Sequence, residues 1–121
     1  MTLQPTDLVD FDSNDLLAIT GADIEMRRGL LEIFVSELPT QRARISSAFD
    51  AADAKEVKDA AHALRSLVST VGGRSSFQIA GEIERAARDG DLALAASLRP
   101  ALDTATNNLR DAFAAFVERE R

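Results

Sequence analysis

A chain of 121 residues is long enough to bury one hydrophobic core without staples. It contains no cysteine, which excludes both a disulfide framework and a thiolate metal site. A formal net charge of −6, with six Phe as the only aromatics, argues against nonspecific nucleic-acid binding and against a base-stacking surface.

The charge is uneven: residues 1–50 carry four basic and nine acidic residues, and residues 51–121 carry ten and eleven. Met1 to Asp12 is polar and acidic, without the basic start and apolar run of a secretory leader. No apolar stretch approaches the about 20 residues of a membrane span. These features predict a soluble cytoplasmic protein, with residues 1–11 as a flexible N-terminal segment and residues 12–121 as one domain.

Alanine, leucine and alternating charges dominate, so the elements are expected to be helices. A short first helix starts after Asp12 or Ser13, carries Leu16, Leu17 and Ile19, and stops at Gly21. Asp23 can cap the next, where Ile24, Leu31, Leu38 and Ile45 recur every seven residues and Phe34, Val35 and Phe49 widen the stripe. Pro39 should kink or interrupt that helix near Leu38. Asp53 and Glu56 are spaced as a capping box for a third helix that runs to about Val71 and closes at Gly72-Gly73.

Ser75 or Ser76 then caps a fourth helix with Phe77, Ala80, Ile83 and Ala87 on its apolar face. Asp89-Gly90-Asp91 is a turn followed by an N-cap. Beyond it Ala95, Leu98, Leu102, Ala105, Leu109, Ala112 and Phe116 form a seam that Pro100 should break near Leu98–Arg99. The expectation is an all-α fold, an antiparallel up-and-down four-helix bundle with a short extra N-terminal helix.

His62 is the only histidine, and it lies mid-way along the third helix. At 100° per residue, Lys55, Lys58, Asp59, Arg65, Ser66, Ser69 and Gly73 fall within about 60° of it. Val57, Ala60, Leu64, Leu67 and Val71 fall near the opposite side, with Ala61 and Val68 on the flank. The imidazole should therefore face solvent, which disfavours a hydrogen-bonded core histidine. Position alone still leaves an ordinary surface residue as an explanation. The neighbours add to it: Arg65 sets a guanidinium one turn away, able to pair with phosphoryl oxygens, and Ser66 leaves the ring accessible. An exposed imidazole is largely neutral near neutral pH, hence nucleophilic.

The stretch from His62 to Gly72, HALRSLVSTVG, resembles the signature of the histidine-containing phosphotransfer (HPt) domain family of bacterial two-component phosphorelays. The matching positions are His62, Leu64, Arg65, Ser66 and Gly72, and the helix layout is similar over roughly residues 12–118. The resemblance implies that His62 accepts a phosphoryl group on Nε2 and that Arg65, in place of the family's usual lysine, stabilises it. Ser66 would leave room for the partner, and Gly72 would allow close packing at the helix end. Glu84 stands where some members have a glutamine, a departure whose charge would repel phosphate. Lys58, Ser66, Ser69 and Glu84 are the candidate partner-facing residues.

The resemblance also implies a phosphoryl carrier rather than an enzyme, without a nucleotide site or cofactor of its own. Its partners would be response-regulator receiver domains, which bring Mg²⁺, and a hybrid histidine kinase. A monomer that binds neither nucleic acid nor membrane is expected. The alternative is a helical protein–protein interaction module that is never phosphorylated, with His62 incidental. Autonomous catalysis is the weakest reading, because no Gly-rich phosphate loop is present and one His without Cys cannot build a His-rich metal site.

Overall fold

In the computed structural model, which describes residues 11–120, the punctuation of the sequence sets the helix starts. Asp12 accepts the Asn14 amide at 2.9 Å and opens α1, Ser13–Thr20, which Gly21 closes with φ +56°. Asp23 accepts the Met26 amide at 2.9 Å and opens α2, Ile24–Asp50. Asp53 accepts the Glu56 amide at 3.1 Å and opens α3, Ala54–Ser69. These caps satisfy amides that have no partner within their own helix. After α4, Arg74–Arg88, Asp91 caps the short α5, Leu92–Ser97, and Pro100 stands in the first turn of α6, Arg99–Glu118. Among the described residues there are six helices and no strand.

Four local expectations are corrected. Pro39 does not interrupt α2: it is exposed, where water can take the carbonyl it leaves unbonded, while Phe34, Leu38 and Ile45 anchor the helix on both sides. Only half of the capping box forms, since the Glu56 carboxylate accepts from Arg44 at 2.6 Å. Helix α3 ends at Ser69, two residues early, where the Ser69 and Thr70 hydroxyls donate to the Ser66 carbonyl. Neither Ser75 nor Ser76 caps α4; the helix begins at Arg74 behind Gly73, and Ser76 is buried inside it. Gly73 itself is closely packed, since a Cβ there would lie 2.6 Å from Leu109 Cδ2.

The long helices α2, α3, α4 and α6 close a ring in which each packs on the next and α6 returns to α2. Arg27 of α2 reaches Glu120 beyond the end of α6, while Arg42 reaches Asp103 and Thr106 near its start, so these two helices run in opposite directions. His62 facing Glu84, and Arg65 facing Phe77, give the same relation for α3 and α4. The core is built from Phe34, Leu38, Val57, Leu64, Val68, Ile83, Leu109 and Phe113. Burial of this apolar area is the main stabilising force.

The core also departs from the sequence stripes. Beyond Leu109 the buried positions of α6 are Phe113 and Val117, with Ala112 and Phe116 only half-buried on the flank. Ile24 and Val35 are exposed, and Leu67 is half-buried. Residues 1–10 of the segment expected to be flexible lie outside the described residues. Phe11 packs against α6: its ring stacks on Phe113 at 5.8 Å and meets Phe116 edge-on at 5.6 Å. Arg27 is buried as well, donating to Glu120, to the Thr20 hydroxyl and to the Gly21 carbonyl. It ties the ends of α1 and α6 to α2.

Candidate functional site

Helix α3 is anchored by Val57, Ala60, Ala61, Leu64 and Val68, all fully buried, which turns His62 outward in its middle. The imidazole is 57% exposed. Its Nδ1 lies 2.9 Å from Oε1 of Glu84, a carboxylate on α4 that is only 7% exposed. A carboxylate only accepts, so Nδ1 carries the proton and donates. In the neutral imidazole the other ring nitrogen, Nε2, then keeps its lone pair.

Arg65 completes this side of the ring. Its Nη2 is 3.3 Å from His62 Nδ1, and its Nη1 is 3.3 Å from Glu84 Oε2. Nδ1 cannot both donate to Glu84 and accept from Arg65; the shorter contact to a full negative charge decides, and Arg65 pairs with the carboxylate. The guanidinium also lies 5.4 Å above the Phe77 ring, and a Cβ on Gly81 would touch the Arg65 side chain at 3.6 Å. Arg65 thus lies along α4 over Gly81, where even a Cβ would make only an ordinary contact. On the other side of Glu84, Arg88 Nη2 is 3.5 Å from Oε1. Two guanidiniums and an imidazole N–H thus surround one buried carboxylate, which compensates its loss of hydration.

Of the residues singled out in the sequence, His62, Arg65 and Glu84 come together. Lys58 does not join them; its ammonium pairs with Asp59 at 3.6 Å, and Lys55 pairs with the same carboxylate at 3.1 Å. Ser66 is exposed one turn beyond the imidazole. Ser69, also exposed, borders a shallow pocket of about 220 Å³ that Gly72, Gly73, Arg74, Asp15 and Phe77 complete. Gly72 has φ +78° and lies against the Asp12 backbone, whose amide donates to its carbonyl at 2.9 Å.

Sequence reasoning missed Phe77, Gly81 and Arg88. Phe77, one of the apolar residues of α4, is 43% exposed. A signal was available: Phe77, Gly81, Glu84 and Arg88 step by four, three and four residues, one continuous stripe along α4. It was obscured because Phe77 reads as apolar core and Arg88 as an ordinary charged end of a helix. Among the described residues, no three metal-ligating side chains cluster and no helix is long and apolar enough to cross a membrane.

An exposed neutral histidine whose Nδ1 is held by a carboxylate, with the Arg65 guanidinium alongside, can accept an electrophilic anionic group. The Hpt domain family model matches residues 29–112, well over half of the chain. The chain belongs to the Hpt domain family. Hpt domains are helical phosphocarrier modules of two-component signalling, which interact with receiver domains and histidine kinases and are generally not enzymes. No curated protein and no solved structure matches the chain significantly. Within this Hpt domain, His62 is the only histidine.

Proposed function

We propose that this Hpt domain relays a phosphoryl group between receiver-domain aspartates through a phosphohistidine at His62 Nε2. The observation that carries the reading is the His62–Glu84 hydrogen bond, which directs the proton of a neutral imidazole to Nδ1 and leaves Nε2 as the free nitrogen of an exposed ring. In the forward step the Nε2 lone pair attacks the phosphorus of a receiver's aspartyl phosphate. The P–O bond to the aspartyl carboxylate breaks, and its electron pair leaves with that carboxylate. No proton has to leave Nε2. The ring becomes an imidazolium whose Nδ1–H stays on Glu84, and the carboxylate offsets the new charge much as the aspartate of a catalytic triad does. In reverse, the protonated Nδ1 makes the imidazole a good leaving group.

Arg65 would neutralise the phosphoryl oxygens, exchanging its contact with Glu84 for a contact with phosphate. Mg²⁺ would come with the receiver, since phosphoryl transfer needs mainly positioning and charge neutralisation. Ser66, Ser69, Lys58 and the exposed Phe77 would form the docking rim. A hybrid histidine kinase would supply the phosphoryl group to the first receiver, and the domain would act as a cytoplasmic monomer.

The test is incubation with a phosphorylated receiver domain, or with a hybrid kinase and ATP. An acid-labile, alkali-stable label that disappears in His62→Gln is the expected result. Labelling that persists in His62→Gln would overturn the assignment. Receiver binding that survives in His62→Gln, with no label ever formed on the wild type, would instead identify a non-phosphorylated interaction module.

A further inference from the structure

We propose that Arg88 of α4 is a second phosphoryl-binding cation of the His62 site, held by Glu84 in the unmodified protein and released to the phosphoryl group once it forms. The inference rests on the phosphocarrier reading and adds to it a residue from another helix.

The argument begins with Glu84 Oε1. It receives both the His62 Nδ1 hydrogen bond and, at 3.5 Å, the Arg88 guanidinium, so Arg88 and the imidazole are neighbours through one shared oxygen. Because α3 and α4 run in opposite directions, Arg65 and Arg88 lie to either side of His62. Arg65 faces Phe77 and Gly81, toward the start of α4, whereas Arg88 lies one turn past Glu84 at its end. Two guanidiniums from two helices flank the carboxylate that holds the ring.

Neither arginine is tightly committed to Glu84. The separations of 3.3 and 3.5 Å exceed those of strong charge-assisted hydrogen bonds, and Glu84 Oε2 has no hydrogen-bond partner at all. Arg88 is 60% exposed, so its side chain can swing at little cost.

Charge then decides. A phosphoryl group on Nε2 brings up to two negative charges and three acceptor oxygens beside a carboxylate that is already buried. One bidentate arginine can take two of those oxygens and offset one charge. The third oxygen and the second charge call for another donor. Lys58 pairs with Asp59 of its own helix, whereas Arg88 shares with the imidazole the Glu84 oxygen that holds the ring.

The experiment reads the phosphoryl group directly. The wild type, Arg88→Ala and Arg88→Lys are phosphorylated with phosphoramidate, a small N-phosphoryl donor, and His62→Gln identifies the phosphohistidine signal. The second ionisation of that phosphoryl group is then followed by ³¹P NMR titration, with far-UV circular dichroism to verify the fold. A nearby cation favours the dianion, so the group in Arg88→Ala should titrate about half a pH unit higher than in the wild type. Arg88→Lys should restore most of the difference, and high salt should shrink it. A titration in folded Arg88→Ala that overlays the wild type would overturn the inference while leaving His62 as phosphoryl carrier. A wild type that accepts no phosphoryl group at His62, from phosphoramidate or from a receiver, would overturn both.

Discussion

The imidazole Nδ1 of His62 and the carboxylate Oε1 of Glu84 are 2.9 Å apart, and Glu84 is almost fully buried while His62 is not. A carboxylate had seemed the wrong group beside a phosphoryl acceptor, because it repels phosphate. The geometry gives it a different role. It grips Nδ1, the nitrogen that the proposed transfer does not use, and the two adjacent arginines offset its charge.

Glu84→Gln keeps an acceptor for Nδ1–H but removes the charge that would stabilise the imidazolium. A charge-assisted hydrogen bond exceeds a neutral one by ~1 kcal/mol, so single-turnover transfer from a phosphorylated receiver should fall about fivefold. Glu84→Ala removes the acceptor as well and should fall further. Imidazole ¹⁵N shifts provide the second readout: Nδ1–H predominates in the wild type and in Glu84→Gln, and the tautomers mix in Glu84→Ala. Equal rates and equal shifts across all three would show that Glu84 merely fills space.

Arg65→Ala should slow transfer by about tenfold, the loss of one charge-assisted contact of ~1.4 kcal/mol, with the helical fold intact. Lys58→Ala, whose ammonium is engaged by Asp59, should change the rate less. Unchanged kinetics in Arg65→Ala would remove that residue from the site.

How much of this was legible in the sequence depends on how local the signal is. Asp12, Asp23, Asp53 and Asp91 announced their helices because an N-cap acts within three residues. The outward phase of His62 followed from the single α3 stripe, and its core face is buried as that stripe implied. The His62–Glu84 bond joins residues from two helices whose mutual rotation no single-helix periodicity fixes. Gly73 failed as a clue for a similar reason. Its close packing against Leu109 comes from a distant helix, so the chain around Gly73 gives no sign of it. Arg27 was illegible too, since nothing near it in the chain reveals the partner Glu120.

Leu64 and Gly72 both belong to the segment that carries the family likeness, yet their roles are structural. Leu64 is fully buried, so Leu64→Ala should cost ~2–5 kcal/mol, and Leu64→Asp should prevent folding. At Gly72 an alanine would adopt a left-handed backbone, at a cost of order 1–3 kcal/mol, and its Cβ would collide with the Asp12 carbonyl oxygen. Denaturant midpoints measure both losses. A Gly72→Ala variant as stable as the wild type would mean that the chain before α1 can move away from the α3–α4 turn.

The Arg27–Glu120 pair gives the fold one acid-sensitive contact. Its hydrogen bonds to Glu120 hold that carboxyl below the ordinary carboxylate range, against the partial burial that pushes it up. Because the folded value is depressed, the unfolded chain binds the proton first as pH falls. The stabilisation is therefore complete above the unfolded value of about 4.3 and is lost as pH drops through the folded value. Asp15, held down by its hydrogen bond from Arg74, acts in the same direction. Arg27 itself is raised by Glu120 and stays charged throughout. Thermal melts of the wild type and Glu120→Gln, recorded from about pH 6 to about pH 3, should differ most at the upper end and converge at the lower. Curves that stay parallel across that range would show that the Arg27–Glu120 pair contributes no pH-dependent stability.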